Sequence, residues 1–168
     1  MGRKAATSIM MSFARAAAAA LFLLSAAGLA AAQQAMVLPV DPTPLIADTG
    51  AQKKSFRIEI ADDESERARG LMYRENMAAD HGMLFVYAKP EPVAFWMQNT
   101  ILPLDLVFLD AKGKVIKVLP GKPYSEAEIS PGVPSQFVLE LNQGESARIG
   151  LDAGDVLYHP AIGNLRPN

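Results

Sequence analysis

The sequence predicts a compact, mostly β single domain with one or two short helices (an α+β fold) and a small barrel-like architecture. Three observations predict it. Apolar and polar residues alternate over short stretches, as in strands with one buried face. Clusters of turn-forming residues separate these stretches. The chain has 168 residues and no cysteine, so one apolar core must hold the fold together without disulfides.

The amino-terminal residues have the three zones of a secretory signal peptide. Residues 3–15 include basic side chains, residues 16–27 are uncharged, and residues 30–32 are small. The uncharged zone has the length of a signal-peptide core and is too short to span a membrane. We therefore expect a signal peptide at residues 1–32, cut after Ala32. The mature protein is expected to be periplasmic or secreted, with no membrane anchor after cleavage.

The charge of the mature protein bears on its partners. Cleavage removes three basic residues and no acidic one, which takes the formal net charge from −2 to −5. An acidic domain is not expected to bind nucleic acid, because phosphates attract basic surfaces. The absence of cysteine excludes a lipid-anchored amino terminus and thiolate metal ligands. A small polar ligand or a protein of the cell envelope is the expected partner.

Residues 33–52 predict a tether, because they are rich in proline, alanine and glutamine. The prolines that interrupt this segment are Pro39, Pro42 and Pro44. Their spacing disfavours both a helix and a central strand. The globular domain is expected to begin near Lys53 and to comprise residues 53–168.

The first elements of the domain are a strand and a short helix. Apolar residues alternate with polar ones over residues 56–60, which is the period of a strand with one buried face. Asp63 stands three residues before Glu66, as in a capping box. The pattern predicts a short helix through Arg69 that ends at Gly70.

The rest of the chain has mainly the pattern of short strands. The predicted strands are Met83 to Tyr87, Val93 to Met97, Leu104 to Leu109, Lys114 to Leu119, Gln136 to Leu141 and Asp155 to Tyr158. A turn that ends at Gly113 predicts a hairpin, because glycine readily takes a positive φ. Residues 121–134 contain several prolines and predict an ordered surface loop.

Several motifs, taken together and in order, resemble a known family. They are Arg69-Gly70-Leu71-Met72, Gly82-Met83-Leu84-Phe85, Phe95-Trp96-Met97-Gln98-Asn99-Thr100, Pro103-Leu104-Asp105, Val138-Leu139-Glu140-Leu141, Gly144 and Gly154-Asp155. Over about residues 54–160 the chain resembles domain-of-unknown-function family 192. The resemblance implies a small β-rich domain, often exported in bacteria, and brings no reaction, ligand or catalytic residue.

The segment 95–105 is the richest in groups that bind polar ligands. An indole can stack on a sugar or another flat ring, an amide and a hydroxyl make directional hydrogen bonds, and a carboxylate takes a hydroxyl or a cation. The candidate ligand-binding residues are Trp96, Asn99, Thr100, Asp105 and Arg69. A structural interpretation of the same residues is also open. Asparagine and threonine often close a turn, and a Phe-Trp-Met run often packs in a core.

Two carboxylates carry an alternative, enzymatic interpretation. Asp105 begins a strand among apolar neighbours, and pairing with Arg69 or Arg67 is its expected role. Glu140 has the pattern of a solvated strand residue. If Asp105 and Glu140 converged, they would form the carboxylate pair of a glycoside hydrolase. The chain has no motif of the common hydrolases or nucleotide-binding enzymes, so an enzyme is not favoured.

Neither a metal site nor a cofactor is expected. The histidines His81 and His159 are isolated in sequence. Four methionines could offer soft ligands to copper(I), but their irregular spacing favours core packing. These methionines are Met72, Met77, Met83 and Met97.

The sequence therefore predicts an exported, non-catalytic module. Its ligand is expected to be a small polar or saccharide-like molecule, or a protein partner, bound through the surface around Trp96. A hydrolase that uses Asp105 and Glu140 is the alternative. A scaffold or assembly factor with an exposed apolar patch is a third possibility.

Overall fold

The computed structural model describes residues 34–165, and the predicted signal peptide at residues 1–32 lies outside the described residues. Within residues 34–165 the strands are β1 (Leu45–Asp48), β2 (Lys53–Ala61), β3 (His81–Glu91), β4 (Leu104–Leu109), β5 (Val115–Gly121), β6 (Ser135–Asn142) and β7 (Val156–Tyr158). The helices there are α1 (Glu64–Arg69), α2 (Glu145–Ile149) and a 3₁₀ turn (Pro160–Ile162). None of the described helices is long and apolar enough to cross a membrane.

The strands form one curled sheet in the order β5-β4-β6-β3-β2-β1-β7. Neighbouring strands are antiparallel except β2 and β3, whose parallel pairing needs the crossover that contains α1. The sheet partly closes where β5 meets β7. There, Val115 N–H donates to the carbonyl of Asp155 and Leu157 N–H to that of Gly113, both at 2.8 Å. The result is a half-barrel, and the predicted mostly β single domain is confirmed.

Strand β4 separates two apolar clusters, because all six of its residues are buried. Val107 and Leu109 face the first cluster, which draws on all seven described strands. Leu104, Leu106 and Phe108 face the second cluster, on the other side of β3, β4 and β6. Successive residues of β4 therefore face the two clusters in turn.

The hairpin between β4 and β5 depends on Gly113. This residue has a φ of +78°, and its N–H donates to the carbonyl of Asp110 at 3.1 Å. A Cβ at this position would lie 2.4 Å from the carbonyl oxygen of Leu157. Both the turn and the close approach of β7 therefore require glycine, which confirms the predicted turn.

The predicted strand at Val93–Met97 is wrong, because this segment makes only an isolated bridge between Phe95 and Ile129. Proline has no N–H to donate to a ladder, and Pro92 precedes the segment. Asn99, with a φ of 57°, turns the chain shortly afterwards. The extended segment between Pro92 and Asn99 is short, so it forms a single β-bridge and no strand.

Order begins earlier than the Lys53 that the sequence predicts. The segment expected to be a tether contains β1, which pairs with both β2 and β7. Leu45 and Ala47 of this strand are fully buried in the first cluster. The prolines of the segment all precede β1, where no ladder hydrogen bond is lost, so they do not prevent a strand.

A buried ion pair holds the residues that precede β1. Arg74 Nη1 donates to Glu59 Oε1 at 2.6 Å, and the two side chains are only 9% and 2% exposed. Arg74 also donates to the carbonyl of Met36, and Leu38 N–H donates to Glu59 Oε2. Burial works to raise the pKa of Glu59, but the hydrogen bonds from Arg74 and Leu38 outweigh it and hold the pKa below its ordinary value.

We expect Arg74→Met to lower the free energy of unfolding by ~3–5 kcal/mol, because it removes the cation from a buried ion pair and leaves the Glu59 carboxylate only the Leu38 N–H and the nearby His81 Nε2. Urea denaturation at neutral pH measures this loss. Arg57→Met is the matched control, since Arg57 pairs with Asp80 at the exposed surface, where solvent screens the ion pair and its loss should change the stability far less. Equal losses in the two variants would show that the buried pair does not stabilise the domain.

Candidate functional site

Helix α1 and the turn after it form one wall of a pocket. The Asp63 carboxylate accepts the N–H of Glu66 at 2.8 Å, and the Glu66 carboxylate accepts the N–H of Asp63 in return. The predicted capping box and helix are confirmed. Gly70 ends the helix with a φ of 49°, and a Cβ there would lie 3.0 Å from the ring of Phe85. The turn therefore packs directly against β3.

The other wall is the segment 95–100. Phe95 exchanges two backbone hydrogen bonds with Ile129, at 2.9 and 2.8 Å. Its ring meets that of Phe85 edge-on, with 5.1 Å between the centroids. Successive side chains of an extended segment face opposite sides, so Trp96 points away from this anchor. Trp96 is 51% exposed.

A backbone hydrogen bond joins the two walls. The Asn99 carbonyl oxygen accepts the N–H of Tyr73 at 2.8 Å. Both residues have a positive φ, of 57° and 63°, which asparagine tolerates better than most residues. The Arg69 guanidinium lies over the Tyr73 ring, 5.3 Å from its centroid. Asn99 thus holds the walls together through its backbone, and its side chain is not part of the pocket lining.

A pocket of about 40 Å³ lies between the two walls and reaches strand β6. Its lining residues are Arg67 to Met72, Phe85, Phe95, Trp96, Thr100 and Glu140. The pocket has room for one polar group or a few water molecules, because one water needs roughly 10–15 Å³ of such space. Three of the predicted site residues, Arg69, Trp96 and Thr100, therefore come together here.

Glu140 supplies this pocket with a buried carboxyl group. The residue is 5% exposed and stands in register between Met83 of β3 and Leu106 of β4. Within residues 34–165 no hydrogen bond reaches its carboxyl group. Burial raises the pKa of Glu140 to about 8, against a smaller opposing effect of the Arg74 charge. The group is therefore mostly protonated and neutral at pH 7.

The prediction that Glu140 is a solvated strand residue is wrong. Alternation along β6 does place it on the face of Val138, as the sequence indicates. That face is covered, however, by α1 and by segment 95–100. Both covering segments are distant from β6 in sequence, and so the linear pattern gives no sign of them.

Asp105 lies on the opposite face of the sheet from Glu140. Asp105 pairs in register with Leu141, whereas Glu140 pairs with Leu106. The Asp105 Oδ2 accepts the backbone N–H groups of Gly144 and Ser146, each at 3.0 Å. Asp105 thus anchors the start of α2, and it does not line the pocket. The convergence of Asp105 and Glu140 that a hydrolase would need does not occur.

The expected ion pair between Asp105 and an arginine of α1 is also wrong, because both arginines are used elsewhere. Arg67 Nη1 donates to the carbonyl of Val86 at 3.0 Å, and its guanidinium lies over the ring of Tyr87. Arg69 lies over Tyr73. Both arginines line this wall of the pocket.

Sequence reasoning missed Glu126 and Glu128. With Ala94, Phe95 and Trp96 they line a second depression of about 280 Å³. This depression and the pocket share Phe95 and Trp96. The signal available in the sequence is a pair of acidic residues two positions apart in the predicted loop.

Three of the four methionines pack in the core, as their irregular spacing predicts, whereas Met72 lines the pocket. Met83 and Met97 are buried, and Met77 packs against the second cluster. In the part of the chain that the structure describes, no three histidine, aspartate or glutamate side chains come together as metal ligands would. His159 Nε2 instead lies 2.9 Å from the carbonyl oxygen of Thr43.

A family model matches nearly the whole described domain. It is that of DUF192, described as "Uncharacterized ACR", and it matches residues 45–159. The chain belongs to the DUF192 family. The resemblance carried by the sequence motifs is thereby confirmed, and the match runs from the start of β1 to just beyond β7.

Two solved structures are similar to this DUF192 chain. One is a protein from Sinorhizobium meliloti 1021 for which a role as a transcription regulator has been suggested. It is 38% identical, with a TM-score of 0.71, over 75% of this chain and 99% of that one. The other, a protein of unknown function from Novosphingobium aromaticivorans DSM 12444, is 32% identical, with a TM-score of 0.68, over 76% and 96%. No curated protein matches the chain.

The raised pKa of Glu140 predicts that this DUF192 domain loses stability as the pH rises from about 4.5 to about 8. Over that range the folded state keeps a proton that the unfolded state releases, so the free energy of unfolding falls by at most ~1.4 kcal/mol for each pH unit. Glu140→Gln should remove this part of the pH dependence. Urea unfolding of both proteins across that range measures it, and identical slopes would show that Glu140 ionises normally.

We expect Asp105 to stabilise the fold and to take no part in ligand binding at the pocket. Asp105→Ala deprives two backbone N–H groups of their acceptor and should lower the free energy of unfolding by ~1–3 kcal/mol. Asp152→Ala, at an exposed position, is the control and should change it by no more than ~0.5 kcal/mol. Thermal unfolding measures both effects. A fully stable Asp105→Ala protein would contradict the structural role.

Proposed function

We propose that this DUF192 protein is an exported, non-catalytic binding module whose pocket takes a small polar, hydroxyl-bearing ligand such as a saccharide. One observation carries the proposal. The carboxyl group of Glu140 is buried, lines a pocket, and has no hydrogen-bond partner within residues 34–165. A ligand group that enters the pocket supplies that partner.

The missing hydrogen bond favours a hydroxyl group. The Glu140 carboxyl group opens into the pocket, so a ligand group that enters the pocket reaches it directly and replaces water there. A protonated carboxyl both donates and accepts a hydrogen bond, and a hydroxyl does the same. The Thr100 hydroxyl donates to the carbonyl of Gln98 at 3.4 Å and offers its oxygen as a further acceptor at the same pocket. An ammonium group is disfavoured there, because Arg67 and Arg69 line the same pocket.

The size of the pocket restricts how much of the ligand enters. Sites that enclose a whole small molecule have roughly 300–1,000 Å³, whereas this pocket has about 40 Å³. One hydroxyl fits, and the rest of the ligand must lie outside, against the exposed ring of Trp96. An indole face packs well on the apolar face of a sugar ring. A saccharide meets both requirements at once.

The geometry supports binding rather than hydrolysis. A glycoside hydrolase needs two carboxyl groups on either side of the scissile bond. Asp105 is on the other face of the sheet and is occupied by backbone N–H groups. Glu140 therefore has no second carboxyl group from Asp105 to work with.

Export is the part of the proposal that the signal-peptide pattern of residues 1–32 supports. The role suggested for the S. meliloti relative is not carried over to this chain. The net charge of −5 after cleavage disfavours contact with the phosphates of DNA. A protein partner that inserts a hydroxyl-bearing side chain beside Trp96 would use the same pocket chemistry, and the ligand screen below separates the two.

The test is a thermal-shift screen of the mature protein against saccharides of the cell envelope. A ligand that binds only the folded state raises the melting temperature. Trp96→Ala should abolish the rise and leave the melting temperature of the free protein nearly unchanged, because Trp96 is half exposed. Tyr124→Ala is the control, because Tyr124 is also exposed and lines neither the pocket nor the second depression.

Glu140→Met adds a second test, in which the melting temperature of the free protein and the ligand-induced rise should change in opposite directions. An apolar side chain of similar length removes the unpaired polar group, so the free protein should melt higher while the ligand-induced rise disappears. A rise that persists in both Trp96→Ala and Glu140→Met would place binding elsewhere and end the proposal. A screen without any saccharide hit would also contradict it.

A further inference from the structure

We propose that the depression lined by Glu126, Glu128 and Trp96 is a second subsite that binds an ammonium group, so that the preferred ligands of this protein are amino sugars. This inference rests on the proposed function, because it assigns the other end of the same saccharide. The negative charge of the two glutamates is what selects amino sugars among saccharides. Nothing in the sequence motifs or in the relatives assigns these two glutamates.

The backbone fixes the aromatic ring and the carboxylates beside each other. Phe95 and Ile129 exchange hydrogen bonds as an antiparallel pair, and both side chains pack toward the second cluster. The next residues of the two segments, Trp96 and Glu128, therefore face the opposite side as neighbours. A further hydrogen bond, from Met97 N–H to the carbonyl of Ser125 at 2.8 Å, holds the loop that carries Glu126.

The charges of this subsite are available to a ligand. Glu126 and Glu128 are exposed, and neither forms an ion pair with any residue from 34 to 165. Gln98 Nε2 approaches Glu126 Oε1 only at 3.5 Å. An ammonium group near two carboxylates and an indole face gains both ionic and cation–π attraction. The depression has the size for such a group, at about 280 Å³.

The pocket over Glu140 and the depression beside Glu126 share Trp96 and together form a cleft. The two ends of this cleft differ in charge, and the difference orients the ligand. At the pocket end, Arg67 and Arg69 accompany a neutral, unpaired carboxyl group that suits a hydroxyl. At the other end, two carboxylates suit a cation. Trp96 belongs to both linings. A ring that stacks on Trp96 with a hydroxyl on one side and an ammonium group on the other matches the whole cleft.

Isothermal titration at low ionic strength and slightly acidic pH tests the inference with three matched tetramers, of glucosamine, N-acetylglucosamine and glucose. The glucosamine tetramer should bind about tenfold more tightly than the glucose tetramer, the factor that ~1.4 kcal/mol represents. The double variant Glu126→Gln/Glu128→Gln should lose this advantage and keep its affinity for the glucose tetramer. Added salt should reduce the advantage as well, because both carboxylates are exposed.

The control is Glu64→Gln/Glu75→Gln, which removes the same charge from exposed positions outside both linings and should retain the preference. Equal binding of the charged and neutral tetramers would overturn the inference and leave the proposed function standing. Spermidine binding as tight as that of the glucosamine tetramer would overturn the sugar class. Failure of all three tetramers to bind would overturn the inference and the proposed function together.

Discussion

Residues 82–85 of β3, all of β4 and most of β6 are buried on both faces of the curled sheet, and the surrounding segments cover these two faces. The inner face is covered when the sheet curls into a half-barrel and closes at β5 and β7. The other face needs a separate cover, which α1 and segment 95–100 provide, with Phe95 packed edge-on against Phe85. The turn after α1 meets segment 95–100 through the hydrogen bond from Tyr73 N–H to the Asn99 carbonyl, and a small gap remains between the two covering segments. The pocket over Glu140 is that gap.

Three acidic side chains on the central strands show how differently the fold treats a buried carboxyl group. Glu59 is paired with Arg74, and the pair holds residues 36–38 against β2. Asp105 is satisfied by two backbone N–H groups at the start of α2. Glu140 has neither kind of partner among the described residues, and burial raises its pKa to about 8. Structural contacts explain the burial of Glu59 and Asp105, whereas the burial of Glu140 is explained best by the binding of a ligand.

The fold was predictable because its signals are local. Alternation identified β2 and β4, and the capping box identified α1. Strand β1 was not predicted, because prolines precede it and because its pairing with β2 and β7 depends on residues far away in sequence. The site was only partly predictable for the same reason. The exposure of Trp96 agrees with its predicted role, but the burial of Glu140 and the backbone role of Asn99 come from segments that meet only in three dimensions.

The most direct measurement is a carbon-13 NMR titration of the Glu140 side-chain carboxyl, assigned with the Glu140→Gln variant. Burial of Glu140 predicts a pKa of about 8 in the free protein, and we expect the resonance to change when a saccharide binds at Trp96. The hydrogen bond from the ligand is the cause of that change. A pKa at the ordinary value, or a resonance that does not respond to a ligand whose binding requires Trp96, would contradict these expectations.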